Sequence, residues 1–227
     1  PFGPGSIYTD RLGTPMLIAG LDYWFKKSND KGALVDCENK GEFDVFEPRI
    51  SRILDVGKFR RPPDHRSVRQ GDQNPPPNVN LHVPAFRFPT WYRHTKTAQL
   101  KKFELHNIEL PATKGGRWQP VRFIAVCPSG HVQDFPWKEW ARCTCPDASG
   151  LELLDKGGSE LSSVKVHCTV CPSGREGRNL AGTTILPTPA TADDPEQSLS
   201  AFQRSDIRCC GRNTWLGPRS EGSACEA

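Results

Sequence analysis

Cys168-Thr-Val-Cys171 is the feature that most restricts how this chain can fold. Two thiols on one turn converge on a single soft cation, and a tetrahedral ion then needs two more ligands from elsewhere in the chain. Nine cysteines are present, an odd number, and eight of them lie after residue 126. No export signal is evident, so metal explains this clustering better than disulfides, and a reducing, cytoplasmic setting is expected. Composition points the same way. Only 36% of the 227 residues are hydrophobic, against 21 Pro and 20 Gly, so irregular structure is extensive and an oily core is small. A metal clamp would compensate.

The spacing leaves the ligand sets open. Cys210 and Cys225 flank the glycine-rich segment GRNTWLGPRSEGSA and are the natural second pair for Cys168 and Cys171, with Cys209 able to replace Cys210. A second candidate cluster is Cys127, His131, Cys143, Cys145 and His167: Cys127-x3-His131 reads as a bidentate turn, and Cys143-x-Cys145 supplies the rest. Zinc is the expected ion. With four protein ligands such a site is closed, and its role is structural.

The stretch Val121–Trp140 reads as a core nucleus. Val121–Val126 is apolar at nearly every position, like a strand buried on both faces. Cys127-Pro-Ser-Gly-His131 punctuates it as a tight turn. Asp134 is placed to cap a short helix with Pro136 in its first turn, and Trp137, Trp140 and Ala141 share one face.

The expected architecture is α+β, a loop-rich scaffold of short strands and helices stabilised by one or two Cys-rich zinc sites. It divides into residues 1–102, an α+β segment with a basic, Pro-rich loop, and residues 103–227, a strand-rich zinc-binding segment. A helix is predicted over Arg49–Val56, and strands over Phe103–Leu110, Leu151–Leu154 and Leu161–Val166. Pro187–Gln197 reads as a connection and Ser198–Asp206 as a short helix. No apolar run is long enough to span a membrane.

Net charge is only +4, but residues 58–102 hold ten Lys/Arg against Asp64 and Asp72, with Phe59, Phe86, Phe88, Trp91 and Tyr92 interleaved. Arg60, Arg61, Arg66, Arg69, Lys101 and Lys102 are candidate phosphate contacts in a nucleic-acid-binding face. The alternative is a solvated surface over core aromatics. Catalytic signatures are missing: there is no GxxxxGK[ST], HExxH or GxSxG, and Asp134 and Glu139 form no paired-carboxylate motif. The chain is therefore expected not to be an enzyme.

Several phrases together resemble one family. PFGPGSIYTD (1–10), GLDYWF (20–25), FEPRISRILDV (46–56), VPAFRFPTWY (83–92), VCPSGHVQDFPWKEW (126–140) and a late WLG before Cys225 follow the order found in the DrmB family, accessory subunits of the bacterial DISARM anti-phage system. The resemblance spans nearly the whole chain. It implies a cytoplasmic bacterial defence protein that supports a DrmA-type superfamily 2 helicase acting on foreign DNA. It also places the family's late cysteines on Cys127, Cys168, Cys171, Cys210 and Cys225, with Cys143 or Cys145 between. Two departures stand out. Trp91-Tyr92-Arg93-His94 lacks the CxxC ribbon that often follows there, and the family continues well past a cysteine like Cys225, so an N-terminal portion of a longer protein is expected. A stand-alone DNA-binding zinc module is the alternative reading.

Overall fold

Short antiparallel ribbons, joined by tight turns, carry most of the regular backbone in the computed structural model. It describes residues 3–30, 33–64, 73–74, 78–105, 110–112, 115–185, 199–217, 220–223 and 225. Strands β1 (Ile7–Thr9) and β2 (Pro15–Ile18) form a hairpin turned at Gly13, whose φ of +82° suits a residue without Cβ. The hairpin β3 (Lys26–Ser28) and β4 (Leu34–Asp36) follows. Next, β5 (Asp44–Val45) pairs with β6 (Phe59–Arg60), and helix α1 (Pro48–Leu54) occupies the excursion between them. Strand β7 (Ala85–Arg87) then completes the first sheet in the order β1-β2-β7.

The second half is built on three more antiparallel units. Strands β8 (Trp91–His94), β9 (Leu100–Lys102) and β10 (Trp118–Pro120) form a sheet in the order β10-β8-β9. Strands β11 (Ile124–Val126) and β12 (Val132–Asp134) form a ribbon. Helix α2 (Trp137–Trp140) leads to β13 (Leu151–Asp155) and β14 (Val164–Cys168), paired from Leu151↔Cys168 to Asp155↔Val164. Helix α3 (Pro172–Arg175) follows, and strand β15 (Arg178–Asn179), on the far edge of β14, completes this sheet.

Residue 102, where the sequence suggested a boundary, is the last residue of β9, in a sheet whose third strand begins at Trp118. The Leu153 N–H donates to the Ala98 carbonyl, tying that sheet to β13. Leu100 belongs to the same buried cluster as the residues around α2.

That cluster is the main core. Phe135, Trp137, Trp140, Leu151, Leu153, Val166 and Leu180 are buried in it together with Cys143, Cys145, Cys168 and Cys171. Phe135 packs at a tilt against Trp137 with ring centroids 4.4 Å apart, and the Trp140 Nε1–H donates to the Asn179 carbonyl at 3.0 Å. The Arg178 guanidinium sits 3.6 Å over the Trp140 ring, a desolvated cation–π contact. A second, much smaller core holds Cys37, Phe43 and Leu81, with Phe25 against them.

Tertiary pairing overrides local propensity in several elements. The buried strand expected over Val121–Val126 shortens to β11, one strand of a two-stranded ribbon, and Val126 is 61% exposed. Asp134 does not cap α2. It ends β12 and accepts hydrogen bonds from the Thr90 N–H, at 2.7 Å, and the Thr90 hydroxyl. Burial pushes its carboxyl above the usual range. The helix expected over Arg49–Val56 starts one residue earlier and ends at Leu54, where Asp55 turns left-handed with φ +50°. Leu161–Ser163 is a 3-10 turn before β14, not strand, and Gln203–Ser205 is a 3-10 turn within the segment expected to be helical. Of the strand expected over Phe103–Leu110, residues 106–109 lie outside the described residues, and Phe103–Leu105 is loop and turn beyond the end of β9; the Pro187–Gln197 connection falls wholly outside them.

Candidate metal centres

Among the described residues two constellations of soft ligands form, and they divide the cysteines differently from the sequence expectation. In the first, Cys143 and Cys145 meet Cys168 and Cys171. In the second, Cys127 and His131 meet Cys209 and Cys225. Within each, the four ligand atoms lie within 4.8 Å of one another. The expected grouping of Cys168 and Cys171 with Cys210 and Cys225 is not formed, nor is that of Cys127 and His131 with Cys143 and Cys145.

The first centre is assembled locally and buried. Its first pair comes from the loop after α2: the Cys143 N–H donates to the Lys138 carbonyl at 2.8 Å, and Arg142 takes φ +52°, reversing the chain toward β14. Its second pair comes from the end of β14 and the start of α3. Two glycines make room. A Cβ on Gly174 would lie 2.7 Å from the Cys168 Cβ, and one on Gly150 would lie 3.0 Å from the Cys168 Sγ. The Thr169 N–H donates to the Gly150 carbonyl at 2.8 Å, fixing the turn between the two halves of the second pair.

The second centre joins distant parts of the chain and is half-buried. The β11–β12 turn presents Cys127 and His131, closed by Cys127 N–H to His131 carbonyl (3.1 Å) and Gly130 N–H to Cys127 carbonyl (2.9 Å) hydrogen bonds. Cys209 and Cys225 come from the C-terminal segment. The Gly211 N–H points at the Cys209 Sγ from 3.3 Å, and the Ser223 N–H donates to the Gly211 carbonyl. A Cβ at Gly211 would overlap the Ser223 carbonyl oxygen, at 1.7 Å, so only glycine lets these two loops approach.

The spacing tests whether a cation fits. Thiolates about 2.3 Å from a tetrahedral ion sit about 3.8 Å from one another, and a thiolate and an imidazole nitrogen about 3.6 Å apart. The Cys145 and Cys168 sulfurs are 3.7 Å apart, and those of Cys127 and Cys225 are 3.9 Å apart. His131 Nδ1 is 3.3 Å from Cys127 Sγ and 3.7 Å from Cys209 Sγ. These separations suit a tetrahedral ion and far exceed the roughly 2.05 Å of a disulfide. The donor sets, four cysteines in one centre and three cysteines with a histidine in the other, are those of structural zinc sites.

The electrostatics agree. Burial pushes the Cys143 thiol up to about 12, whereas the Thr144 amide, with help from the Ser173 hydroxyl, draws Cys171 down to about 5. In the second centre burial raises Cys209 to about 12. Cys127 falls below the usual thiol value: burial is the largest single influence and acts upward, but the His131 amide and the neighbouring thiols together outweigh it. Within each centre, thiols only a few ångströms apart are thus pushed in opposite directions. A dication removes that conflict by ionising all of them.

The remaining candidates lie elsewhere. Cys210 is exposed, and both its N–H (3.1 Å) and its thiol (2.6 Å) donate to the Gln133 Oε1. His167, a candidate ligand by sequence, instead pairs across the β13–β14 ladder with Glu152 at 3.1 Å. Arg60, on β6, is held by Asp44 at 2.7 Å and lies over the Phe25 ring. Lys101 lies over the Phe103 ring, and Lys102 follows it on β9; Arg61 and both lysines are exposed. Arg60 and the two lysines thus belong to different sheets. Arg66 and Arg69 fall outside the described residues. Spacing alone offers Cys209 only as a stand-in for Cys210. The glycine two residues after it, whose amide meets its sulfur, is the sequence signal that favours it.

Fold and sites define a class: a loop-rich α+β domain with, among the described residues, two cysteine-rich clusters whose geometry could hold a metal ion. The chain belongs to the family described as a domain of unknown function, DUF8724, whose model matches residues 1–227. It is also similar to the DISARM protein DrmB of Bacillus paralicheniformis, with 24% identity over 172 residues. That match covers 70% of this chain and 26% of the relative, so the chain spans about a quarter of the relative's length. Among the described residues, no helix is long and apolar enough to cross a membrane.

Proposed function

We propose that this chain is a non-catalytic, two-zinc scaffold that works as a subunit in bacterial anti-phage defence. It binds a DrmA-type superfamily 2 helicase and supports that helicase's action on foreign DNA. The observation that carries the reading is that both constellations offer four protein ligands. Such sites are closed to substrate, so the metal holds the fold and leaves no open position for chemistry. Similarity to a DISARM protein DrmB supplies the setting.

Within this reading each residue has a local task. Cys143, Cys145, Cys168 and Cys171 hold one zinc inside the main core. Cys127, His131, Cys209 and Cys225 hold the other and pin the C-terminal segment to the β11–β12 turn. Bound zinc supplies charge neutralisation and a rigid tetrahedral join. The protein's own amides at Thr144 and Gly211 and the Ser173 hydroxyl orient the sulfurs.

Two measurements test this. Elemental analysis of purified protein is expected to find two zinc ions per chain, and none would remove the scaffold. Co-purification with the helicase subunit, and DNA binding that depends on that subunit, is the expected behaviour. Tight, salt-sensitive DNA binding by the chain alone would instead favour a stand-alone module.

A further inference from the structure

We propose that the stripe formed by Ile50, Ile53 and Leu54, with the exposed Phe46 just before the helix, is a docking surface for a protein partner that offers an apolar groove rimmed by acidic side chains. The proposal rests on the reading of the chain as a subunit and names which part of it meets the partner.

Helix α1 buries none of its own residues. Phe46 is 90% exposed, Ile53 80%, Leu54 58% and Ile50 46%. On a helix, positions i, i+3 and i+4 share one face, so Ile50, Ile53 and Leu54 form a continuous stripe. A helix held only to cap a surface normally turns polar side chains to water, and contiguous exposed apolar side chains mark interaction sites.

The helix is nonetheless held in place. Seven residues make a helix too short to persist alone in water. Its ends are fixed instead by the β5–β6 pair, in which Asp44 and Val45 meet Arg60 and Phe59. Asp44 binds both Lys58 (2.8 Å) and Arg60 (2.7 Å), and the adjoining Phe43 is buried against Phe25. The fold therefore spends its local contacts on presenting this stripe, a rigid arrangement suited to helix-in-groove recognition.

Charge selects the occupant. Arg49 and Arg52 are exposed on the helix, and Arg61 is exposed beyond it. From Asp44 to Arg61 five basic side chains stand against three acidic ones, and residues 58–102 continue the basic excess. A second copy would set these arginines against each other, whereas a groove with an acidic rim pairs with them. A helix of two turns is also far shorter than those that bind by lying in a lipid interface.

The test uses the full chain and the helicase subunit named above, with affinity measured by calorimetry at two salt concentrations. Ile53→Asp removes an exposed side chain, so the fold and zinc content are expected to stay those of wild type while affinity falls at least ~10-fold. The double variant Arg49→Glu/Arg52→Glu is expected to weaken binding and flatten its salt dependence. Unchanged binding of Ile53→Asp overturns the docking surface and leaves the subunit reading intact. Failure of the wild-type chain to bind removes the subunit reading and the docking surface with it. A dimer of the chain alone that Ile53→Asp dissolves, or pelleting with phosphatidylserine vesicles that it abolishes, also overturns the proposal.

Discussion

The two cysteine centres differ in depth and in reach. The first draws four thiols from within residues 143–171 and sits inside the main core, among Trp137, Trp140, Leu151 and Val166. The second joins residues as far apart as Cys127 and Cys225, 98 positions along the chain, and stays half-buried. The contrast separates two uses of the same chemistry. A metal in the first centre would complete the core; a metal in the second would fasten a late segment onto a surface turn that other contacts already hold. Those contacts include the Thr214 hydroxyl donating to the Val132 carbonyl and the bridge between Val132 and Asn213.

The largest expected effect falls on the first centre. Zinc in a site of this kind is worth on the order of 10 kcal/mol, similar to the ~5–15 kcal/mol that holds a whole domain together. Cys168→Ser is therefore expected to abolish cooperative thermal unfolding and the near-ultraviolet signal of the buried tryptophans. Cys209→Ser is expected to keep both, lose one zinc, and open the chain after residue 199 to limited proteolysis. Equal damage from the two variants would erase the distinction.

Chelator competition sharpens it. Zinc release followed with a chromogenic dye is expected in two phases, the faster from the half-buried centre, because exposure lets the chelator reach the ligands. Cys225→Ser is expected to remove the fast phase alone. A single phase in the wild-type chain would mean that the two centres open together.

Trp140→Ala probes the core without touching a ligand. Removing a fully buried tryptophan is expected to cost ~3–5 kcal/mol. The result is a large fall in Tm with zinc content unchanged. Loss of zinc from this variant would show that the first centre cannot stand without its aromatic wall.

Much of this design was legible in the residues. The CxxC at Cys168 and Cys171, the turn from Cys127 to His131, and the aromatic helix WKEW all occur where local spacing placed them, because each is fixed by neighbours a few residues away. The partition of ligands was not legible. It depends on the β13–β14 register, which returns Cys168 to the loop carrying Cys145, and no local pattern encodes that register. Cys209 and Cys210 are likewise indistinguishable by spacing. The choice falls to Gly211, whose amide meets the Cys209 sulfur, and to Gln133, which takes Cys210. Asp134 misleads for a similar reason. A carboxylate before a helix reads as a cap, yet Thr90, 44 residues earlier, offers both an amide and a hydroxyl.

That Asp134–Thr90 contact gives the smallest and most selective test of how the second centre is supported. Asp134 ends β12, the strand that leads away from His131, so it anchors the turn independently of any ion. Its carboxyl is raised above the ordinary value by burial. A group whose folded pKa is raised favours the folded state most when protonated, so its contribution is fully present below the unfolded pKa and is lost as pH rises through the folded one. Asp134→Asn keeps an oxygen to accept the Thr90 N–H and carries no charge. The Tm of the variant minus that of the wild-type chain is therefore expected to grow more positive from about pH 4 upward, by a shift equivalent to about 1 kcal/mol or less. The other carboxylates act equally in both proteins and drop out of the difference. A flat difference would mean that the buried charge is already compensated. A steep loss of the fast-releasing zinc in Asp134→Asn would mean that the turn needs this anchor before its cysteines can hold a metal, which would place support for the second centre in β12 instead of in the C-terminal segment.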